Sequence, residues 1–119
     1  MARVLVVEDE PNIGGIIVFK LEREGHEVRW ETAADSAWLA AQNWPHELAL
    51  LDSSLPDGDS LFMLDRMKQY SPVVMLTEFR DEQTPKEAVA RGATATISKP
   101  FKPTQLARLV AQLAPAGTA

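Results

Sequence analysis

The sequence predicts an α/β domain of the doubly wound (βα)5 kind, a five-stranded parallel sheet in the order 2-1-3-4-5 with helices on both faces. Three observations predict it. Five short apolar runs alternate with five segments of helical spacing along 119 residues. The third and fourth runs, Leu48 to Leu51 and Val73 to Leu76, are continuously apolar, as in strands covered on both faces. Acidic, hydroxyl and lysine side chains recur where the runs end, which is where this architecture places its ligand site.

The elements follow in order. Arg3 to Val7 is a β-branched run of strand length, ending in Glu8, Asp9 and Glu10. Pro11 suits the first turn of a helix. Ile13, Ile16, Ile17, Phe19 and Leu21 follow at helical spacing, and Gly25 stops the helix. Gly14 and Gly15 weaken that helix and mark close packing or an accessible backbone. Val28 and Trp30 alternate with charged neighbours, a half-buried strand. Ala33 to Asn43 is alanine-rich, with Ala34, Ala37, Trp38 and Ala41 on one face, and Pro45 ends it.

The third strand leads into the loop DSSLPDGD, after which Leu61, Leu64 and Met67 mark a short helix. The fourth strand ends at Thr77. A polar loop, EFRDEQ, precedes Thr84-Pro85-Lys86-Glu87, which reads as a capping box with proline at the first helical position. Gly92 closes that helix. Ala95 to Ser98 is a weak fifth strand. Pro103 or Thr104 opens a last helix whose Leu106, Leu109, Val110 and Leu113 share a face. Alternation of this kind implies a parallel sheet, and right-handed crossovers leave few topologies.

Residues 1–113 form the domain, and 114–119, APAGTA, read as a flexible tail or linker stub. There is no cysteine, which excludes disulfides, thiolate metal sites and thiol nucleophiles and suits a reducing cytoplasm. No apolar stretch approaches the roughly 18 residues of a membrane span, and the apolar run before the first acids is too short for a signal peptide. The formal charge of −5 argues against direct nucleic-acid binding, which leans on Lys and Arg against phosphates.

In the order 2-1-3-4-5, strands 1, 3, 4 and 5 bring Glu8, Asp9, Asp52, Thr77 and Lys99 to one edge. Three carboxylates held close repel, so one tends to stay protonated. A hard divalent cation removes that conflict, and Mg²⁺ takes one or two carboxylates with a phosphate oxygen. An ionised Asp52 can then attack a phosphoryl group to form an aspartyl phosphate. Lys99 neutralises the phosphoryl oxygens, and Thr77 donates a hydrogen bond to one.

VLVVEDE, LALLD with LPDGD after it, VVMLT and SKPF, each at a strand end, resemble the four signatures of the response-regulator receiver domain. The resemblance covers about residues 2 to 113. It implies that Asp52 is the phosphoacceptor and Asp9 a direct Mg²⁺ ligand paired with Glu8. It implies a backbone-carbonyl ligand at Ser54, phosphoryl contacts from Thr77 and Lys99, and a cis bond at Lys99–Pro100. The implied function is a phosphorylation-dependent signalling switch, an in-molecule phosphoryl acceptor rather than a turnover enzyme. A sensor histidine kinase, phosphotransfer protein or small phosphodonor would load it. It would relay a change to the surface of helix 4, strand 5 and helix 5, and so to a downstream protein or fused output domain.

Departures from that pattern are specific. The aromatic switch residue usual three positions before the lysine is Thr96 here. The residue after Thr77, usually small, is Glu78, expected to narrow access to Asp52 and to repel an incoming phosphate. The stretch from Asp52 to Thr77 is several residues short, so helix 3 or its exit is trimmed. ARGATATISKP lacks the paired acids of the winged-helix branch, which argues against that branch's dimer. These departures support a rival, a pseudo-receiver that binds protein without phosphorylation. A flavoprotein of the same topology is opposed by the acidic EDEPN after strand 1, and a metal-dependent phosphatase by the lack of a further general base.

Simpler roles also fit several residues. Glu8 and Asp9 favour the N-terminus of the helix at Pro11. Asp57 and Asp59 read as turn and N-cap residues. His26 and His46 lie at strand entries without an assigned role. Trp30, Trp38 and Trp44 pack core and helix surface, and Phe79 either anchors a partner or folds onto the domain.

Overall fold

A computed structural model describes residues 1–114. The elements are β1 (Arg3–Val7), α1 (Pro11–Arg23), β2 (Glu27–Glu31), α2 (Ala34–Asn43), β3 (Leu48–Asp52), α3 (Ser60–Met67), β4 (Val73–Thr77), α4 (Gln83–Ala90), β5 (Ala95–Ser98) and α5 (Pro103–Leu113). The five strands form one parallel sheet in the order β2-β1-β3-β4-β5, as the alternation implied. Of the tail expected from Ala114, all but Ala114 lies outside the described residues.

Strand period sorts the apolar side chains onto two faces. Leu5, Val7, Ala49, Leu51, Val73 and Met75 pack against α2, α3 and α4. Val4, Val6, Leu48, Leu50, Val74 and Leu76 pack against α1 and α5. The central strands β1, β3 and β4 are thereby buried on both sides, which is why their sequences do not alternate.

Helix ends follow local chemistry, with one correction. Glu10 caps α1 by accepting from the Ile13 amide, and Gly25 leaves the helix at φ 91°. Asp59 caps α3 through the Leu61 and Phe62 amides. The capping box expected at Thr84 is not the cap of α4. That helix begins at Gln83, and Asp81 accepts from the amides of Gln83 and Thr84 instead. Pro85 stands within the first turn, where its missing N–H has no intrahelical acceptor to lose. The α1 periodicity also overstated the buried face, since Ile16 and Phe19 are exposed. The short α3 has 8 residues, in keeping with the trimmed segment.

Gly14 is the close approach the α1 sequence suggested. A Cβ there would fall on the Trp30 indole, 2.7 Å from Nε1. The indole N–H in turn donates to the Glu8 carbonyl at 2.8 Å. At Gly15 there is open space.

Candidate functional site

Register brings the strand ends level. Val7 pairs with Leu51, Asp52 with Leu76, and Thr77 with Ser98. The residues at and just past those ends, Glu8, Asp9, Asp52 and Lys99, therefore meet. Carboxylate oxygens of Glu8, Asp9 and Asp52 all lie within 4.8 Å of one another. Glu8 and Asp52 are buried, and Asp9 is half-buried.

Lys99 is the counter-charge. Its Nζ stands 2.9 Å from Glu8 Oε1 and 3.0 Å from Asp52 Oδ1. It follows β5 directly and is joined to Pro100 by a cis peptide bond. Backbone donors complete the pocket: the Ser54 amide reaches Asp52 Oδ1 at 3.2 Å and the Glu10 amide reaches Glu8 Oε2 at 3.2 Å. Ser60 Oγ donates to the Asp52 carbonyl at 2.7 Å, which ties the start of α3 to the end of β3.

These surroundings divide the carboxylates. Burial, and then the bond shared with Asp52, push Glu8 up to about 7, against the pull of Lys99. Asp9 is raised by its bond with Asp52 and by burial. Burial would raise Asp52 too, but its bonds to Glu8, Asp9 and Lys99 outweigh it and hold Asp52 below its ordinary value. For Lys99, burial is outweighed by Glu8 and Asp52, and the ammonium is held firmly charged. So Glu8 gives up its proton less readily than an ordinary carboxyl, and Asp52 more readily. One ammonium does not satisfy three carboxylates. A small cation with oxygen preference does, which makes the cluster compatible with Mg²⁺.

Glu78 reaches into the same pocket from the loop after β4. It accepts from Ser54 Oγ, and its Oε1 is 3.7 Å from Lys99 Nζ. Thr77 is buried with its hydroxyl turned to the Ile97 carbonyl at 3.5 Å, not to Asp52. Thr96 stands half-buried on β5 beside a shallow cavity of about 280 Å³ lined also by Gln105, Arg108, Leu109 and Gln112.

Asp57, expected as a turn residue, has a larger part. Its carboxylate accepts from the amides of Ala34 at 2.7 Å and Asp35 at 3.3 Å. It is the cap that α2 lacks locally, since Ala33 has no side chain to offer. Its acidity rises accordingly, chiefly through the Ala34 amide. Sequence signals for this bridge were the missing cap before Ala34 and an acid without a local partner. His26 accepts from the Ala2 amide, and Trp44 stacks on His46, both away from the pocket.

The family model described as the response regulator receiver domain matches residues 4–111. This chain belongs to that family. The phosphate regulon transcriptional regulatory protein PhoB of Escherichia coli is 37% identical over 110 residues, 87% of this chain and 48% of its own length. The transcriptional regulatory protein SrrA of Staphylococcus aureus is 30% identical over 105 residues, 87% of this chain and 44% of its own length. The receiver domain thus spans about half the length of the curated relatives it matches. Among solved structures, NtrX from Brucella abortus superposes with TM-score 0.88 at 36% identity, over 94% of this chain and 26% of that one. A CheY-like receiver domain protein from Methanospirillum hungatei gives 0.88 at 27% identity, over 94% and 92%. Receiver domains belong to two-component response regulators, so phosphorylation-based signalling is the function class. No helix among the described residues is long and apolar enough to cross a membrane.

Proposed function

We propose that Asp52 accepts a phosphoryl group from a sensor histidine kinase, a phosphotransfer protein or a small phosphodonor, with Mg²⁺ in the acidic pocket. The observation that carries this reading is the division of charge at the site. Asp52 is buried at the end of β3 with the Lys99 ammonium 3.0 Å from its carboxylate, and its bonds to Glu8, Asp9 and Lys99 favour its ionised form while Glu8 is pushed up to about 7. A buried, ionised carboxylate at the rim of a pocket is the form a nucleophile needs.

Asp9, Asp52 and the Ser54 backbone carbonyl would hold the metal, with Glu8 behind them. Bound there, Mg²⁺ supplies charge neutralisation for the phosphoryl oxygens. An Asp52 oxygen attacks phosphorus. With a phosphohistidine donor the P–N bond breaks and its electron pair leaves on the imidazole nitrogen, which takes a proton from solvent; with an acyl phosphate the P–O bond breaks and a carboxylate leaves. Lys99 then shifts its ammonium from carboxylate toward the phosphoryl oxygens. Thr77 reaches the phosphoryl group by releasing the Ile97 carbonyl, a long bond that gives little resistance. Glu78 narrows the entrance and repels incoming phosphate, so E78A phosphorylates faster than wild type. The output is a shift of the α4, β5 and α5 surface, read by a downstream protein or a fused output domain.

Incubation with acetyl phosphate and Mg²⁺, followed by intact mass measurement, tests the reading. The wild type gains the mass of one phosphoryl group, and D52N does not. An equal gain in D52N would move the acceptor elsewhere.

A further inference from the structure

Glu78 does more than crowd the entrance. We infer that Glu78 is the charge sensor of this receiver: its carboxylate latches the loop after β4 onto Ser54, and a phosphoryl group on Asp52 expels it. The inference rests on Asp52 being the phosphoacceptor.

The latch is visible in two contacts of the Glu78 carboxylate. Glu78 accepts from Ser54 Oγ, which joins the loop after β4 to the loop after β3 across the mouth of the pocket. Its Oε1 also faces Lys99 Nζ at 3.7 Å. That ammonium already serves Glu8 at 2.9 Å and Asp52 at 3.0 Å. Phosphorylation replaces the single negative charge of the Asp52 carboxylate by roughly one and a half to two on the phosphoryl group, and its three acceptor oxygens compete for the same donors. Some carboxylate must leave. Glu8 and Asp52 are buried at the ends of central strands and cannot. Glu78 is the half-exposed member with the longest contact, its side chain 49% accessible. Its departure frees both Lys99 and the Ser54 hydroxyl for phosphoryl oxygens.

The loop behind Glu78 is built to carry that movement. Phe79 is 66% exposed and packs under no helix; its ring faces the Arg80 guanidinium at 5.2 Å. Arg80 is held at φ 65°, a left-handed conformation that costs a non-glycine residue energy. The Asp81 amide donates back to the Glu78 carbonyl at 3.2 Å, and the Asp81 carboxylate caps α4. One turn therefore links the latch to the start of α4. That helix has 8 residues and only Ala88 fully buried, so little resists its displacement. Charge at Asp52 thus reaches α4 without the aromatic rotation for which Thr96 has no ring.

Amide NMR on the domain and two variants tests this. In E78A the latch is absent, so amides of residues 79–88 move, without any ligand, toward the positions wild type takes with Mg²⁺ and beryllium fluoride. Adding the mimic to E78A then produces less than half of the wild-type shift in those residues. E78Q keeps an acceptor for Ser54 and loses the charge. With the mimic its Asp9, Asp52 and Lys99 amides respond while residues 79–88 stay in place. Unliganded E78A spectra that superimpose on wild type over residues 79–88 overturn the inference, as does E78Q relaying like wild type. Wild-type pocket amides that ignore the mimic would instead remove Asp52 as acceptor, and the unliganded comparison would still decide the latch.

Discussion

Adjacent glycines in α1 make opposite predictions, and the pair is the sharpest test of how this domain is packed. Alanine at Gly14 places its Cβ on the Trp30 indole, 2.7 Å from Nε1 and closer to the ring carbons. The ring must move. Overpacking of this kind costs about 1–3 kcal/mol. Loss of the indole hydrogen bond to the Glu8 carbonyl adds about 1 kcal/mol. Replacing a mid-helix glycine by alanine returns about 0.5–1 kcal/mol. The balance for G14A is a loss of about 1–3 kcal/mol. At Gly15 a Cβ meets nothing within 4 Å, so G15A retains only the helical gain of about 0.5–1 kcal/mol. Urea unfolding followed by far-UV circular dichroism separates the two, because that signal comes chiefly from the backbone and its midpoint reports unfolding of the whole domain. In a W30L background the cost of G14A should largely vanish, since the clashing ring is gone. G14A as stable as wild type would refute the packing argument, and equal effects at both positions would refute the assignment of the clash to Trp30.

Three further outcomes are expected. Glu8 is raised to about 7 in the fold, from an ordinary value of 4.5, so its contribution is complete below that ordinary value and is lost as pH rises through 7. The stability of E8Q relative to wild type should therefore grow by about 2 kcal/mol between pH 5 and pH 8, read by urea unfolding; a flat difference contradicts it. Mg²⁺ must displace the Glu8 proton, so its affinity should rise about tenfold from pH 6 to pH 8 by calorimetric titration, with E8Q nearly flat. D57A should lower the melting temperature and loosen amide protection at the start of α2, while D57N, which keeps an acceptor, should recover most of both. Unchanged protection at Ala34 and Asp35 in D57A would show that the cap is unimportant.

What the sequence disclosed was decided by how local the determining forces are. The buried strands were legible because burial on both faces leaves no polar position in LALLD before Asp52 or in VVMLT before Thr77. The acidic pocket was legible for the same reason, since a carboxylate directly after such a run has nowhere to go but the strand end. Long-range partners were not. Asp57 reaches an amide 23 residues away, and nothing in LPDGD announces the Ala34 end of that bond. The cap of α4 was misplaced because Thr84-Pro85-Lys86-Glu87 carries the local signature, while Asp81, three residues before Thr84, accepts from the Gln83 and Thr84 amides. Ile16 and Phe19 kept helical spacing but face outward, because the face α1 buries runs through Gly14, Ile17 and Leu21.

The Asp57 bridge sets up an asymmetry around Asp52. On the β3 side, the following loop is fastened four times: Asp57 to the α2 amides, Leu55 into the core, Asp59 on α3, and Ser60 to the Asp52 carbonyl. On the β4 side, the loop from Glu78 to Asp81 holds an exposed aromatic, a left-handed arginine and a weakly anchored helix. A disturbance at the carboxylate meets stiffness in one direction and compliance in the other. Force divides according to compliance, so displacement goes to the α4 side while α2 and α3 remain a fixed frame. Directionality in this receiver is then a property of where the chain is fastened, and tightening the β4 side, as by a residue at Arg80 at ease with positive φ, would blunt the signal without touching the chemistry at Asp52.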